Sequence, residues 1–396
     1  MFPKLRFKEF DGDLTESKLV ELTSWASGGT PAKDVPEYWG DDIPLISGAS
    51  MHTNQLYESD VKITKLGLQK GSKLALKDSI LILVRGSMLF NKIPMGITLG
   101  DVAFNQDVKC IRPKQQLAPL FLFQWLHAKE NTIQNKVTAT GIGAGKLDTA
   151  DLQNLKLYKP SLEEQTKIAT FLSAVDEKIS QLTQKHQLLR EYKQGMMQKL
   201  FSQQVRFKAD DGSEFGEWDE NELRDVAEIN PKAKKLPENF IYIDLESVEK
   251  GQLLLQKNIG LQDAPSRAQR LLAKGDVLFQ MVRPYQQNNY YFNLSGEYVA
   301  STGYAQIRTK LDSKFIYYAL HEKTFLDEVM NRCTGTSYPA INSSDLSSIE
   351  ILIPCLEEQT KIANFLSSID QKIEVVAQQI EQAKTWKKGL LQQMFI

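Results

Sequence analysis

The sequence predicts an α+β chain made by internal duplication, with two globular regions separated by two long helices that form an antiparallel coiled coil, the whole pseudo-twofold symmetric. Three observations predict it. The chain has 396 residues, enough for two to four compact units at roughly 100 to 200 residues each. From Pro160 it reads PSLEEQTKIATFLSAVDEKISQ and from Pro354 it reads PCLEEQTKIANFLSSIDQKIEV, an offset of 194 residues with close to half of some forty positions identical. In both segments apolar residues recur four and three apart over more than four heptads. A period near 200 is too long for a solenoid array with repeats of roughly 20 to 50 residues, so a whole domain has been duplicated.

The match continues upstream at lower similarity. Arg6-Phe7-Lys8 with Asp11-Gly12 returns as Arg206-Phe207-Lys208 with Asp211-Gly212. DSILILVRG from Asp78 resembles DVLFQMVRP from Asp276, and GDVAFNQDVKCIRPK from Gly100 resembles GEYVASTGYAQIRTK from Gly296. LFLFQWLHAK from Leu120 corresponds to KFIYYALHEK from Lys314, Gly141 to Gly335, and Asp151-Leu152 to Asp345-Leu346. The expected boundaries are a first globular region at 1–158, a helix at 159–203, a second region at 204–352 and a second helix at 353–396.

The helices carry a heptad seam. Ile168, Leu172, Val175, Ile179 and Leu182 begin it in the first copy, and Ile362, Leu366, Ile369, Ile373 and Val376 take the same places in the second. Such an a/d pattern specifies a left-handed coiled coil. Lys193 and Lys387 interrupt both seams at equivalent places, and polar seam residues trade stability for register. Ser161 and Glu164, behind Pro160, form a capping-box signature in which Ser161 accepts from the Glu164 amide; Cys355 replaces the serine in copy two. The competing reading has each helix packing only on its own globular region. An antiparallel pair sets the two regions at opposite ends facing the same way, whereas a parallel pair crowds them together. About 39 helical residues at 1.5 Å rise make a rod of about 58 Å. With the regions folded back along it, their separation approaches one turn of DNA, by analogy with two-fold DNA readers.

Several chemistries are missing. Cys110, Cys333 and Cys355 are widely spaced and odd in number, which fits a reducing cytoplasm rather than a disulfide framework. His52, His127, His186 and His321 stand alone, so no metal site is expected. No signal peptide begins at Met1 to Phe10, and no run approaches a membrane span. The glycine-rich run Gly141-Ile142-Gly143-Ala144-Gly145-Lys146-Leu147 fails as a phosphate loop. Thr140 stands at the first required glycine and Leu147 at the magnesium-binding hydroxyl, so a flexible loop is expected. There is no Asn/Asp-Pro-Pro-aromatic run, GxSxG elbow or kinase motif set, and neither catalytic residues nor cofactors are expected on this chain.

The net charge of −1 gives no global basic signal, so any nucleic-acid contact must be local. Between positions 62 and 92, Lys62, Lys65, Lys70, Lys73, Lys77, Arg85 and Lys92 face Asp78. In copy two Lys250, Lys257, Arg267, Arg270, Lys274 and Arg283 face Asp263 and Asp276. These stretches can neutralise phosphates. The run Arg283, Pro284, Tyr285, Gln286, Gln287, Asn288, Asn289, Tyr290, Tyr291 is the base-reading candidate, because Arg pairs with guanine and Gln or Asn with adenine in the major groove. Its expected counterpart is Arg85-Gly86-Ser87 with Asn91 and Lys92, which differs in all but the arginine and so would read another sequence. The alternative is a hairpin whose aromatics fill the core.

Taken with PxLEEQxKIAxFLSxxDxKI at Pro160 and Pro354, and with Gly28-Gly29-Thr30-Pro31 followed by Pro36-Glu37-Tyr38-Trp39-Gly40 and Ile43-Pro44, the whole chain resembles the specificity subunit of type I restriction-modification systems, which act in defence against foreign DNA. Copy two departs from the second signature and reads Pro237-Glu238-Asn239-Phe240-Ile241-Tyr242-Ile243. The resemblance implies two α/β target-recognition domains, each reading one half of a bipartite, asymmetric site in double-stranded DNA, with the helices as a ruler for the gap. It also implies two modification subunits that methylate adenine with S-adenosylmethionine, and motor-nuclease restriction subunits that use ATP and Mg²⁺. The rival is a coiled-coil adaptor that binds no DNA.

Overall fold

Strand Thr15–Lys18 pairs antiparallel with Lys156–Lys159, so the chain leaves its first globular region beside the point where it entered, just ahead of the first long helix. The computed structural model describes residues 3–141, 143–233 and 235–396; Met1 and Phe2 of the N-terminal segment, Ile142 of the glycine-rich run and Lys234 lie outside the described residues. The long helices are Leu162–Phe201 and Leu356–Met394. Two units can be distinguished, one comprising Met1–Thr183 with Gln378–Ile396 and the other Gln184–Ala377, so each contains part of both helices. No helix among the described residues is long and apolar enough to cross a membrane.

In the first unit one sheet has the order Thr23–Ser27, Val108–Pro113, Ile80–Leu83, Met95–Thr98, Gln55–Leu56. Its central strand, Ile-Leu-Ile-Leu, is buried throughout, as expected of a continuous apolar run covered on both faces. A second sheet has the order Lys62–Ile63, Trp39–Ile46, Val102–Phe104, Lys73–Ala75. The Gly-Gly-Thr-Pro segment lies against this second sheet. A Cβ on Gly28 would run into the Phe104 carbonyl oxygen, and Gly29 N donates to that same oxygen at 3.0 Å. The signature that sets copy one apart is therefore a backbone packing device.

The second unit repeats the second order whole and the first without a counterpart to Gln55–Leu56. Its orders are Ala227–Ile229, Tyr304–Thr309, Val277–Gln280, Tyr290–Tyr291, and Lys257–Gly260, Asn239–Ile243, Tyr298–Ser301, Ala268–Leu271. Strand Asp219–Glu222 pairs with Glu350–Ile353 as the closing ladder. The same topology thus forms without the Gly-Gly-Thr-Pro signature. The helix after the main sheet recurs too. Pro119–Ala128 starts on proline, whose fixed φ suits the first turn, and Ser313–Ala319 starts on Asp312, whose carboxylate accepts from Lys314 N and Phe315 N at 3.0 Å.

The ten seam residues are buried, apart from the half-buried Ile179 and Ile373. Ile168, Leu172 and Val175 share the first unit's core with Phe121, Trp125, Leu390 and Met394. Ile362, Leu366 and Ile369 share the second unit's core with Phe315, Leu200 and Met196. Phe395 packs on Phe121 at 5.4 Å, and its repeat equivalent Phe201 packs on Phe315 at 5.6 Å.

The repeated Leu-Glu-Glu-Gln segment ties each helix to its region. Arg6 Nε and Nη2 donate to the two Glu164 carboxylate oxygens, both at 2.7 Å. Arg206 does the same to Glu358 at 3.0 and 2.7 Å, and Trp218 Nε1 adds a bond at 3.1 Å. Gln165 Oε1 accepts from Ala118 N at 2.9 Å, and Gln359 Oε1 from Asp312 N at 3.1 Å. Ser161 Oγ accepts from Glu164 N at 3.3 Å, the expected half of the capping box; the carboxylate that would complete it is bonded to Arg6 instead.

Arg206→Met should lower stability by about 3 kcal/mol, because it strands a buried carboxylate. The Glu358 side chain is 0% exposed. Adding Glu358→Gln should recover part of the loss, and urea unfolding of the variants measures both effects.

Candidate nucleic-acid interface

In the first unit, strand Ile80–Leu83 runs on into Arg85–Gly86 and the 3₁₀ turn Ser87–Phe90. Where a flexible loop was expected, Thr138–Ala139 and Gly145–Lys146 form a hairpin that adds to Arg85–Gly86, with Lys146 directly opposite Arg85. The hairpin forms because Thr140 N donates to Ala144 O at 2.8 Å and Gly143 turns the chain at φ +76. Arg85 is exposed and lines a cleft of about 380 Å³ with Ser47, Ser87, Asn105 and Asp107. Asn91 and Lys92 are exposed at the end of the turn. Lys70, in the last turn of helix Lys65–Gly71, and Lys73, on an edge strand, are exposed but belong to the other sheet.

In the second unit the ladder shifts the expected correspondence by one residue. Ile80 pairs with Ile111 and Val277 with Ile307, at matching places before Arg112 and Arg308. Arg85 therefore matches Val282, and Arg283 matches Gly86. Lys146 faces Arg85 as Ala340 faces Val282. Gly86 at φ +149 and Arg283 at φ +55 share a positive φ, which L side chains adopt reluctantly. A one-residue shift reverses the face to which a side chain points, so the two arginines are not equivalent readers. The basic residues of the other sheet recur on one strand and share a rung. Lys73 pairs with Phe104, and Arg270 pairs with Ala300 at the matching place in copy two. Arg267 is exposed. Arg270 is half-buried, its Nε has no hydrogen-bond partner among the described residues, and burial lowers its pKa.

The run from Arg283 to Tyr291 divides into an outer and an inner part. Tyr285 is 51% exposed, Gln286 is exposed, and Arg283 lies over the ring of Tyr338 with its Cζ 4.2 Å from the centroid. Buried Gln280 organises the rest. Its Nε2 donates to Gln286 Oε1 at 2.9 Å and its Oε1 accepts from Asn288 N at 3.0 Å. Asn288 Oδ1 accepts from Lys250 N at 2.9 Å, and Gln287 Nε2 points to His321 O at 3.5 Å.

Asn289 is a correction. It is 1% exposed, its Oδ1 accepts from Gln280 N at 2.8 Å and its Nδ2 lies 3.3 Å from His321 Nε2, so it holds the loop and presents no amide outward. Tyr290 packs against Phe292 and Tyr291 against Tyr317, so here the aromatics do fill the interior. Asp276, counted among the acids facing the basic stretch, is buried and held by Arg308 at 2.7 and 2.8 Å. Sequence reading missed Lys146 and Tyr338. The repeat offset that links Gly141 to Gly335 was the available signal, since both follow from the hairpin it marks.

His321 Nδ1 lies 2.7 Å from Tyr317 O, to which it donates, which leaves Nε2 to accept from Asn289. This pattern requires neutral imidazole, and burial pushes the pKa down to about 4. As pH falls below about 6.5 the unfolded state takes the proton first, so stability declines until about pH 4 and then levels off, by at most about 3 kcal/mol. Urea unfolding between these pH values checks this, since His321→Gln should remove that component. Asn289→Ala should cost about 2 kcal/mol by leaving Gln280 N unpaired, measured in the same way.

The family model described as the type I restriction modification DNA specificity domain matches residues 12–190 and again 216–385. The MjaVIII specificity subunit of a type I restriction enzyme from Methanocaldococcus jannaschii is 27% identical over 409 residues, covering 97% of this chain and 94% of that one. The EcoR124I/EcoR124II specificity subunit from Escherichia coli is 29% identical over 182 residues, 46% of this chain and 45% of that one. The crystal structure of a type I restriction-modification S subunit from M. genitalium superposes with TM-score 0.63 at 17% identity, covering 100% and 99% of the two chains, and shares the fold. The chain belongs to the type I restriction-modification specificity-subunit family, the DNA-recognition component of those systems and not a catalytic one.

Proposed function

We propose that this chain reads a bipartite, asymmetric double-stranded DNA sequence, one half-site per globular unit, and directs partner subunits to it. Two modification subunits would methylate adenine using S-adenosylmethionine, and motor-nuclease restriction subunits using ATP and Mg²⁺ would cut unmethylated DNA. The observation that carries this reading is the doubled match to the DNA specificity domain, on two units that share the same four-strand orders. Different residues stand at the corresponding edges. The first carries Arg85, Asn91, Lys92 and Lys146, and the second Arg283, Tyr285, Gln286 and Tyr338. Arg and Gln there supply the fork and amide that recognise guanine and adenine, while Lys70, Lys73, Arg267 and the half-buried Arg270 supply charge for phosphates.

The same reading takes the helices as an antiparallel coiled coil with pseudo-twofold symmetry, acting as the spacer. Two ion pairs support it. Asp176 meets Lys387 at 2.5 Å and Lys193 meets Asp370 at 2.6 Å, so an advance of 17 residues along one helix is a retreat of 17 along the other. Each aspartate also accepts from its own globular region, Asp176 from Gln124 at 2.8 Å and Asp370 from Tyr318 at 2.6 Å. The seam lysines thus act as register pins.

The test is the adenine methylome of a clean host expressing the chain with its modification partner. Exchanging residues 283–289 should alter one half of the methylated motif. Deleting about four residues, near one turn, from both helices should alter the gap and leave both half-sites intact. If loop exchange moves both half-sites together, one unit per half-site is wrong. If no motif-specific methylation appears, the adaptor reading is favoured.

A further inference from the structure

The geometry points to Tyr338 as a positioning residue for base reading: its ring holds the Arg283 guanidinium so that the free donor edge faces a guanine in the second half-site. This rests on the DNA-reading function proposed above and adds a residue outside the loop at 283–289. Three features lead to it.

Arg283 is a left-handed residue, φ +55, directly ahead of Pro284. A bulky residue occupies that conformation only where its surroundings enforce it, and such strain gathers at functional sites. The enforcement is visible. Arg283 N donates to Pro339 O at 2.7 Å, and Val282 bridges to Ala340. The matching residue in the first unit is Gly86, at φ +149, where there is no side chain to accommodate.

Tyr338 is 64% exposed, so its ring is not held there by core packing. Its ring contact among the described residues is the Arg283 guanidinium, with Cζ 4.2 Å from the centroid. The matching position in the first unit is Ala144, so the pair belongs to one unit only.

A guanidinium held over a ring at this distance is attracted to the π face, a contact that needs no oxygen acceptor and so leaves donor capacity for a base. Asp276, the nearest acid in sequence, is occupied by Arg308. The fork is therefore oriented and unpaired by that acid, which is what bidentate contact with guanine O6 and N7 requires. Phosphate oxygens could also be gripped by such a fork, and the two sources separate in the test, because only a base contact carries sequence information.

Full-length variants are co-expressed with the modification partner, and the methylome is read by long-read sequencing. Tyr338→Ala should relax the motif at a single position of the second half-site and reduce discrimination there about tenfold, with the first half-site unchanged. Tyr338→Phe, which keeps the ring, should restore the parental motif, and Tyr338→Leu, which keeps bulk alone, should not. Arg283→Ala should relax the same position at least as far. An unchanged motif in Tyr338→Ala, beside a relaxed one in Arg283→Ala, overturns the positioning role and leaves the reading loop standing. A uniform fall in methylation with the motif intact overturns base reading in favour of a phosphate contact. An unchanged motif in Arg283→Ala overturns the assignment of this loop and the inference with it.

Discussion

Each globular region is anchored to its helix by a buried carboxylate gripped by one arginine. Glu164 and Glu358 have side chains 3% and 0% exposed, and their charge is tolerated because Arg6 and Arg206 each supply two donors in a planar fork. Leaving either glutamate unpaired would be costly, so the segment ahead of each region's first strand, the helix start and the intervening region must come together as one object. The neighbouring Gln165 and Gln359 extend the tie to the loop ahead of the sheet-covering helix. The clamp thereby fixes where each globular region meets the start of its long helix.

That constraint explains why Leu-Glu-Glu-Gln is repeated unchanged while the reading edges diverge. The clamp needs one geometry in both copies, and a buried charge pair that loses one partner alone is strongly destabilised. The edges at Arg85 with Lys146 and at Arg283 with Tyr338 need only the backbone ladder beneath them, and its rungs are indifferent to side-chain identity. Frame and reader are thus separable in the chain, as a protein must be if it is to change the sequence it reads without refolding.

The frame was legible in the sequence because duplication prints it twice. The helices, their seam and the Arg-Phe-Lys to Leu-Glu-Glu-Gln correspondence all appear as repeated residues, and the fully apolar Ile80–Leu83 strand announces itself. The reader was legible only in part. Matching Arg85 to Arg283 follows residue identity, whereas the ladder counts rungs and moves the match by one. Asn289 has the chemistry to read adenine, and nothing in one dimension reveals that Gln280 and His321 already hold both ends of its amide. Tyr338 reaches Arg283 across 55 positions of chain, through a hairpin that composition alone suggested was a loose glycine-rich loop in the other copy.

The net charge of −1 looks at first like evidence against a polyanionic ligand. Its distribution removes the objection. Glu164, Glu358, Asp276, Asp176 and Asp370 each cancel a cation within a structural pair, with Arg6, Arg206, Arg308, Lys387 and Lys193 in turn. Those pairs contribute little to the field at the surface, where Lys70, Lys73, Arg85, Lys92 and Arg267 stand exposed. At physiological ionic strength a charge is felt over about 8 Å, so an approaching phosphate responds to these local groups and not to the sum over the chain. Modest local charge also leaves a larger share of recognition to oriented donors such as the Arg283 fork, whose contribution depends on geometry, and geometry is what the clamp and the ladder supply.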